Sequence, residues 1–397
     1  MKLLFLTRKF PFPPVDGESL HLSSFYKSLS KSVPDIDILS FNTSKHYFDP
    51  DSIPANENPY KNIWLVDLDN RVKPIDAFCN LFSKQSFHIS RFISRDFEEK
   101  LALILSQNTY DLIVFESIYL DPYFSIVKKY SNAKVIIRAH NVEYEIWERV
   151  ATNTKILLLK IYIKYLASKL KNYELANINR YDLLIALTER DLEIYKSNGL
   201  KIKSCVLPAG IEGEKYTPLK LILDKKLKVS FLGSLDWIPN IEGLKWFIEK
   251  CWSNTAIKEN TIELHVAGRN TPGWIYKYSG ENIIIHGEIP DSREFINSCP
   301  VMIVPLLSGS GMRLKILEAM ALGRVIITTS LGLEGINAKD GQEVLIADDQ
   351  SGFIEKLLFC KDNFEAMKEI STGAREFFIR NYDIDTVVEK FLKIVQE

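Results

Sequence analysis

The stretch from Val301 to Gly323 reads VMIVPLLSGSGMRLKILEAMALG, a short β-branched run, a Gly/Ser turn over Ser308–Gly311, and an apolar segment at helical spacing. Strand, small-residue loop and helix in that order belong to an α/β domain and make an anion site. Gly309 and Gly311 let backbone approach a ligand, and the unpaired N–H groups and dipole of the following helix favour phosphate. Arg313 and Lys315 place two cations at that helix start, where the dipole disfavours them unless an anion offsets it, so the spacing points to a diphosphate. The loop lacks the Gly-Lys-Ser/Thr of a P-loop, and Leu314 stands where the dinucleotide fingerprint needs a third glycine. Glu318 is the other anomaly, a carboxylate among Leu314, Ile316, Leu317, Ala319, Met320, Ala321 and Leu322. Burying it requires a partner. Lys315 three residues back is one candidate, and the hydroxyl pair of a bound ribose is the other.

Outward from this segment, β-branched runs alternate with helical stretches along the whole chain, the pattern of parallel sheets covered by helices. One series of strands is expected at Lys2–Thr7, Ile36–Phe41, Leu112–Glu116, Lys134–Ala139 and Leu183–Leu187. A second is expected at Leu227–Leu232, Glu263–Ala267, Ile283–His286, Val301–Pro305 and Val325–Thr328. Between them, Pro208 to Pro218 is rich in Gly and Pro and has no apolar period. The expectation is therefore two Rossmann-like, doubly wound domains, 1–207 and 208–383, with ligands in a cleft at the carboxyl ends of both sheets. A C-terminal helix over 384–397, apolar at Val387, Val388, Phe391, Leu392 and Val395, either completes the second domain or packs back on the first.

Composition narrows the function. The 397 residues carry 50 basic against 51 acidic side chains, a formal charge of -1, which argues against a polynucleotide as main partner. With 46% apolar and 11% aromatic residues, most of the chain is expected to fold. The five cysteines, Cys79, Cys205, Cys251, Cys299 and Cys360, form no zinc-type spacing and read as buried thiols in a reducing compartment. The N-terminal MKLLFLTRKFPFPP holds too short an apolar run for a signal peptide, and no uninterrupted stretch is long enough to span a bilayer. The chain is expected to be cytoplasmic, soluble or peripheral at the inner face of the membrane.

Ser308–Gly323, taken with Val229–Ser234 (VSFLGS), Leu264–Gly268 (LHVAG), His286–Asp291 (HGEIPD) and Arg138–Glu143 (RAHNVE), resembles the group 1 (family 4) glycosyltransferases of GT-B fold, over essentially the whole chain. The resemblance implies transfer of a sugar from a nucleotide diphosphate-sugar, such as a UDP or GDP donor, to a hydroxyl of a glycan or lipid-linked glycan. Retention of configuration and no bound metal or other cofactor are implied with it. By motif, Glu318 grips the donor ribose. Gly311, Arg313, Leu314 and Lys315 hold the diphosphate, and Gly268 and Glu288 lie in donor-side motifs. Two departures stand out. Ser310 occupies the place of the first glutamate of the family's E-x7-E motif, which leaves the sugar open. Gly233-Ser234 with Asn240 replaces the usual Gly-Arg and later Lys, so Ser234 and Asn240 supply hydrogen bonds without charge and the neutralisation falls to Arg313 and Lys315.

In the first domain, Gly17 either lets backbone approach the transferred sugar or belongs to an ordinary helix-entry turn. His140 follows a strand end, where polar residues face ligands, and the family's histidine at this place lies near the transferred sugar. Glu143 is a looser candidate for the same region. Trp237 reads equally well as a packed aromatic. The segment Lys155–Lys171 is basic and apolar without an acidic residue. It either packs its Leu/Ile side on the domain with the lysines solvated, or touches anionic lipid, with Lys160, Lys164 and Lys171 on one helical face. The rival functions are a GT-B-like nucleotide-sugar epimerase and a non-catalytic nucleotide-sugar-binding partner in a glycan assembly complex.

Overall fold

Strands that are apolar at every position need cover on both faces, and the chain supplies it by following most strands with a helix. The computed structural model describes residues 1–14, 16–44, 46–54, 57–71, 80, 83, 86–222, 225–253, 262–280, 282–309 and 311–397. It divides into two units, Met1–Pro208 with Lys390–Glu397, and Ala209–Glu389.

The first unit holds a seven-stranded parallel sheet of β1 (Lys2–Thr7), β2 (Asp35–Thr43), β3 (Asn62–Leu68), β4 (Leu112–Phe115), β5 (Lys134–Ala139), β6 (Leu183–Ala186) and β7 (Ser204–Val206). Their order is β3-β2-β1-β4-β5-β6-β7. In the second unit, β8 (Leu227–Leu232), β9 (Ile262–Ala267), β10 (Ile283–Gly287), β11 (Val301–Val304), β12 (Val325–Thr328) and β13 (Leu345–Ile346) form a parallel sheet in the order β10-β9-β8-β11-β12-β13. In each sheet the order reverses once, between β1 and β4 and between β8 and β11. The period of two sorts the second core: Val301 and Ile303 face one cluster with Val325 and Ile327, while Met302 and Val304 face another with Ile326.

The expected strands are present with ends shifted by a residue or two. The edge strands β3, β7 and β13 were not expected. β7 and β13 have three and two residues, too few for a periodic signal. The last helix, Ile384–Gln396, is shared: Val387 lies against Gly210 in the second unit, whereas Phe391 packs edge-on against Phe25 in the first, ring centroids 5.2 Å apart. Among the described residues, no helix is long and apolar enough to cross a membrane. Cys251, Cys299 and Cys360 are buried free thiols and Cys205 is half-buried. Cys79 lies outside the described residues.

Phe391 is fully buried on Phe25 and within 6.0 Å of the Arg138 guanidinium. Phe391→Ala is expected to cost about 3–5 kcal/mol in urea melts, against about 0.5 kcal/mol or less for the exposed Lys393→Ala.

Candidate functional site

Where strand order reverses, the connections from neighbouring strands leave in opposite directions and the carboxyl ends stay open to a ligand. In the second unit these are the ends of β8 and β11. Gly309 and Gly311 take φ of +106° and +86°, the left-handed region in which a side chain is strained. Ser310 lies outside the described residues. The helix Leu314–Ala321 follows, its N-cap residue Arg313 supplies no side-chain cap, and Ile316 N donates to Arg313 O (2.9 Å) within the first turn.

Arg313 is buried, with its guanidinium bonded to Gly311 O and 5.5 Å above the Trp237 ring. Trp237 is thus a half-exposed platform beside the loop rather than a core aromatic. Lys315 turns away from Glu318 and donates to Leu232 O (3.0 Å) at the end of β8 and to Asn240 Oδ1 (2.9 Å), tying the two strand ends together. Its ammonium also lies 5.1 Å from the Phe231 ring. Burial, reinforced by Arg313, pushes Lys315 down to about 7.

Asn240 is buried, with Nδ2 donating to Ser234 O (2.9 Å) and Oδ1 accepting from Lys315, so it positions the loop and the lysine. The Ser234 hydroxyl donates to Asp236 Oδ1 at 2.6 Å. Gly268 serves loop packing, since a Cβ there would overlap Gly233 O, and its N–H donates to Gly287 O (2.8 Å). Glu288 is exposed beyond β10, the sheet edge, two ladder spacings or about 10 Å from β8. It does not join the Arg313 loop. Among the described residues, Glu318 pairs neither with Lys315 nor with any other cation at bonding distance. Its Oε1 accepts from Tyr216 OH (2.9 Å), a residue of the inter-domain stretch. Burial raises its pKa, against the pull of Tyr216 and of Arg293.

The first unit concentrates charge at its own reversal point, beyond β1, β4 and β5. Glu116, one residue past β4, is buried and accepts from Tyr26 OH (2.8 Å), Arg138 Nη1 (2.7 Å) and His140 Nε2 (2.7 Å). Burial alone raises a carboxyl, but Arg138, His140 and Tyr26 outweigh it and hold Glu116 down at about 2. Arg138 and His140 share a face of β5 by the period of two, which is why both reach the same carboxylate. Because Glu116 accepts from Nε2, that nitrogen carries the proton and Nδ1 is the acceptor in the neutral His140 ring. Arg138 is fully buried, 4.0 Å from the Phe25 ring, and its Nη2 lies 3.1 Å from His21 Nε2. Arginine only donates, so His21 accepts.

Gly17 is the first residue of the helix Gly17–Ser30, behind a capping box of Asp16 and Ser19. No positive φ marks it. The neighbouring Glu18 takes both Arg8 donors, Nε at 3.2 Å and Nη2 at 2.9 Å. Glu143 is buried and accepts from Tyr119 OH (2.8 Å), whose ring lies 5.2 Å from Arg8. Burial raises the Glu143 pKa while Arg8 opposes it. The helix Glu143–Asn153 begins after Val142, which has no capping oxygen. Buried Glu174 takes that role from the helix Leu157–Asn177, accepting from Glu143 N (3.3 Å), Tyr144 N (3.2 Å) and Tyr195 OH (2.5 Å).

Glu116, Arg138, His21 and Tyr216 were missed at the sequence level. The rule that marks His140, polarity at a strand's carboxyl end, marks Glu116 equally. Arg138 lies inside a quoted motif, and Tyr216 carries no local signal.

Glu116→Gln leaves Arg138 buried without its counter-charge and is expected to cost about 3–5 kcal/mol. Because the Glu116 pKa is depressed on folding, its stabilisation is complete above the ordinary carboxylate value of 4.5 and is lost as pH falls toward about 2. Urea melts across that window should show the wild type losing stability more steeply than Glu116→Gln. Equal slopes would count against the pair.

Residues 226–363 match the family model of glycosyl transferases group 1. A Klebsiella pneumoniae protein described as "Uncharacterized 44.6 kDa protein in cps region" is 26% identical over 405 residues, covering 99% of each chain. Among solved structures, sucrose-phosphate synthase from Thermosynechococcus elongatus superposes with a TM-score of 0.70 at 14% identity, covering 100% of this chain and 98% of that one. Anabaena HepE in complex with UDP and glucose gives 0.64 at 13% identity, covering 100% of both. Residues 226–363, within the second unit, carry the similarity to the group 1 glycosyl transferases, and the whole chain has the two-domain α/β fold of these solved structures.

Proposed function

We propose that the protein transfers a sugar from a nucleoside diphosphate sugar to a hydroxyl of a glycan or lipid-linked glycan. The observation that carries this is the Leu314–Ala321 helix. Its start, which receives no side-chain cap from Arg313 and carries the cations Arg313 and Lys315, suits a diphosphate, while Glu318 stands four residues, about 6 Å, further along the same axis. That offset suits the step from a nucleotide's diphosphate to its ribose hydroxyls. Lys315 uses two of its three N–H donors on protein oxygens, which leaves one for phosphate. UDP is the nucleotide to test first, because HepE is in complex with UDP and glucose. The cps-region relative supports a glycan as the acceptor.

In the proposed reaction the acceptor oxygen bonds to the anomeric carbon and the bond from that carbon to the diphosphate oxygen breaks. The acceptor's proton passes to the departing phosphate on the same face, so configuration is retained without a carboxylate pair or a bound metal. Developing charge on the diphosphate is met by Arg313, Lys315 and the helix dipole. His140, oriented by Glu116, contacts the transferred sugar or the acceptor.

Calorimetry with UDP tests the assignment. Glu318→Ala is expected to weaken binding by about 1.5–3 kcal/mol and to erase the preference for UDP over its 2′,3′-dideoxy analogue. Retained preference, or absence of UDP- and GDP-sugar binding by the wild type, would sink the reading. Turnover is expected to persist in chelator.

Lys315 provides a second readout. A bound diphosphate raises a lysine that sits at about 7 in the free protein, so binding at mildly alkaline pH takes up a proton and affinity falls as pH rises above about 7. Titrations in buffers of different protonation enthalpy should report this uptake, and Lys315→Met should abolish it. No uptake in the wild type would remove Lys315 from the diphosphate site.

A further inference from the structure

The helix Leu157–Asn177 is docked by its second half, where Leu166, Ala167, Leu170 and Glu174 are buried along one side. At about 100° per residue, Leu157, Leu158, Ile161 and Tyr165 fall within about 100° of arc on the opposite side. Leu157, Leu158 and Ile161 expose 68%, 81% and 58% of their surface. Ile156 and Leu159 are exposed as well, so the first turn is apolar all round. The Leu/Ile side therefore packs on the domain only from Leu166 onward, and the first turns depart from that expectation. No other short segment exposes so many large apolar side chains among the described residues.

Charge identifies the occupant. From Arg149 to Tyr173 the sequence has six cations and no acidic residue. Lys169 and Lys171 are committed to the fold, Lys169 donating to Asn80 O (2.7 Å) and Lys171 lying 4.8 Å from the Tyr144 ring. Lys155 and Lys164 are exposed beside the apolar turn, and Lys160 reaches Thr152 O (3.2 Å) at the surface. The turn has no side-chain N-cap, so its N–H groups favour an anion. An apolar tip without a single flat face suits a fluid phase better than a shaped protein groove, and the surrounding cations suit phosphate headgroups.

We infer that residues 155–165 form a membrane-docking tip, inserting Leu157, Leu158 and Ile161 among the acyl chains of a bilayer rich in anionic phospholipid while Lys155, Lys160 and Lys164 engage its headgroups. This rests on the glycosyltransferase reading only for its purpose, which is to bring a lipid-linked acceptor within reach.

Co-sedimentation of the full chain with vesicles, without donor or acceptor, tests it. Binding is expected to phosphatidylcholine vesicles containing phosphatidylglycerol and to be at least tenfold weaker on phosphatidylcholine alone. The triple change Lys155→Gln, Lys160→Gln, Lys164→Gln is expected to lower partitioning by about a hundredfold, at about fivefold per lysine. Leu157→Ser, Leu158→Ser, Ile161→Ser is expected to abolish insertion while leaving the melting temperature and UDP affinity unchanged, since these side chains are exposed. The proposal is overturned if the wild type ignores anionic vesicles, if either triple variant binds like the wild type, or if the leucine changes only dissolve a dimer. UDP binding is measured separately, so loss of vesicle binding with UDP binding intact rejects the tip and leaves the donor assignment standing.

Discussion

A parallel sheet cannot join neighbouring strands by hairpins, so each connection crosses back over a face, and one reversal of strand order leaves two adjacent carboxyl ends uncovered. Both units are governed by that constraint. At β8 and β11 the exposed ends carry a glycine loop, a helix start without a side-chain cap and two cations. At β1, β4 and β5 they carry Arg8, Glu116 and His140. In each unit a cluster of buried, electrostatically perturbed residues lies at the place the topology leaves open.

The two places handle charge differently. Around Glu116, opposite charges neutralise one another inside the fold: one carboxylate receives a phenol, a guanidinium and an imidazole, and Arg138 is sandwiched between the carboxylate and aromatic rings. Such an arrangement stabilises an orientation, here that of His140. Around Lys315 the hydrogen-bond acceptors among the described residues are neutral, Leu232 O and Asn240 Oδ1, and burial depresses the ammonium. A buried cation that burial and Arg313 depress more than Glu318 supports it is a suitable receiver for an anionic ligand, and the missing Arg and Lys of the Gly233–Asn240 loop concentrate that task on Arg313 and Lys315.

Particular residues show where sequence reading succeeds. The Val301–Gly323 segment is legible because strand, turn and helix are contiguous and each step is local chemistry. Asn240, Gly268 and Glu288 were assigned to the donor by motif. The structure gives the first two supporting roles and sets Glu288 at a sheet edge, because ladder position is a property of topology. Edge strands β3, β7 and β13 escaped for a related reason: a strand of two or three residues, or one half exposed, has little apolar period to detect.

What the sequence by itself determined is the set of things that depend on neighbours along the chain: alternating strands and helices, the break near residue 208, the left-handed glycines, the cations at the helix start and the anomalous Glu318. Only the tertiary structure decided which partners these residues take. Glu318 meets Tyr216 from 102 positions away, Lys315 reaches back 83 positions to Leu232, Glu174 caps a helix 31 positions earlier, and Phe391 returns to Phe25. A buried polar group must find its hydrogen bond wherever packing brings a donor or acceptor, and packing is set by the sheet order rather than by proximity in the chain.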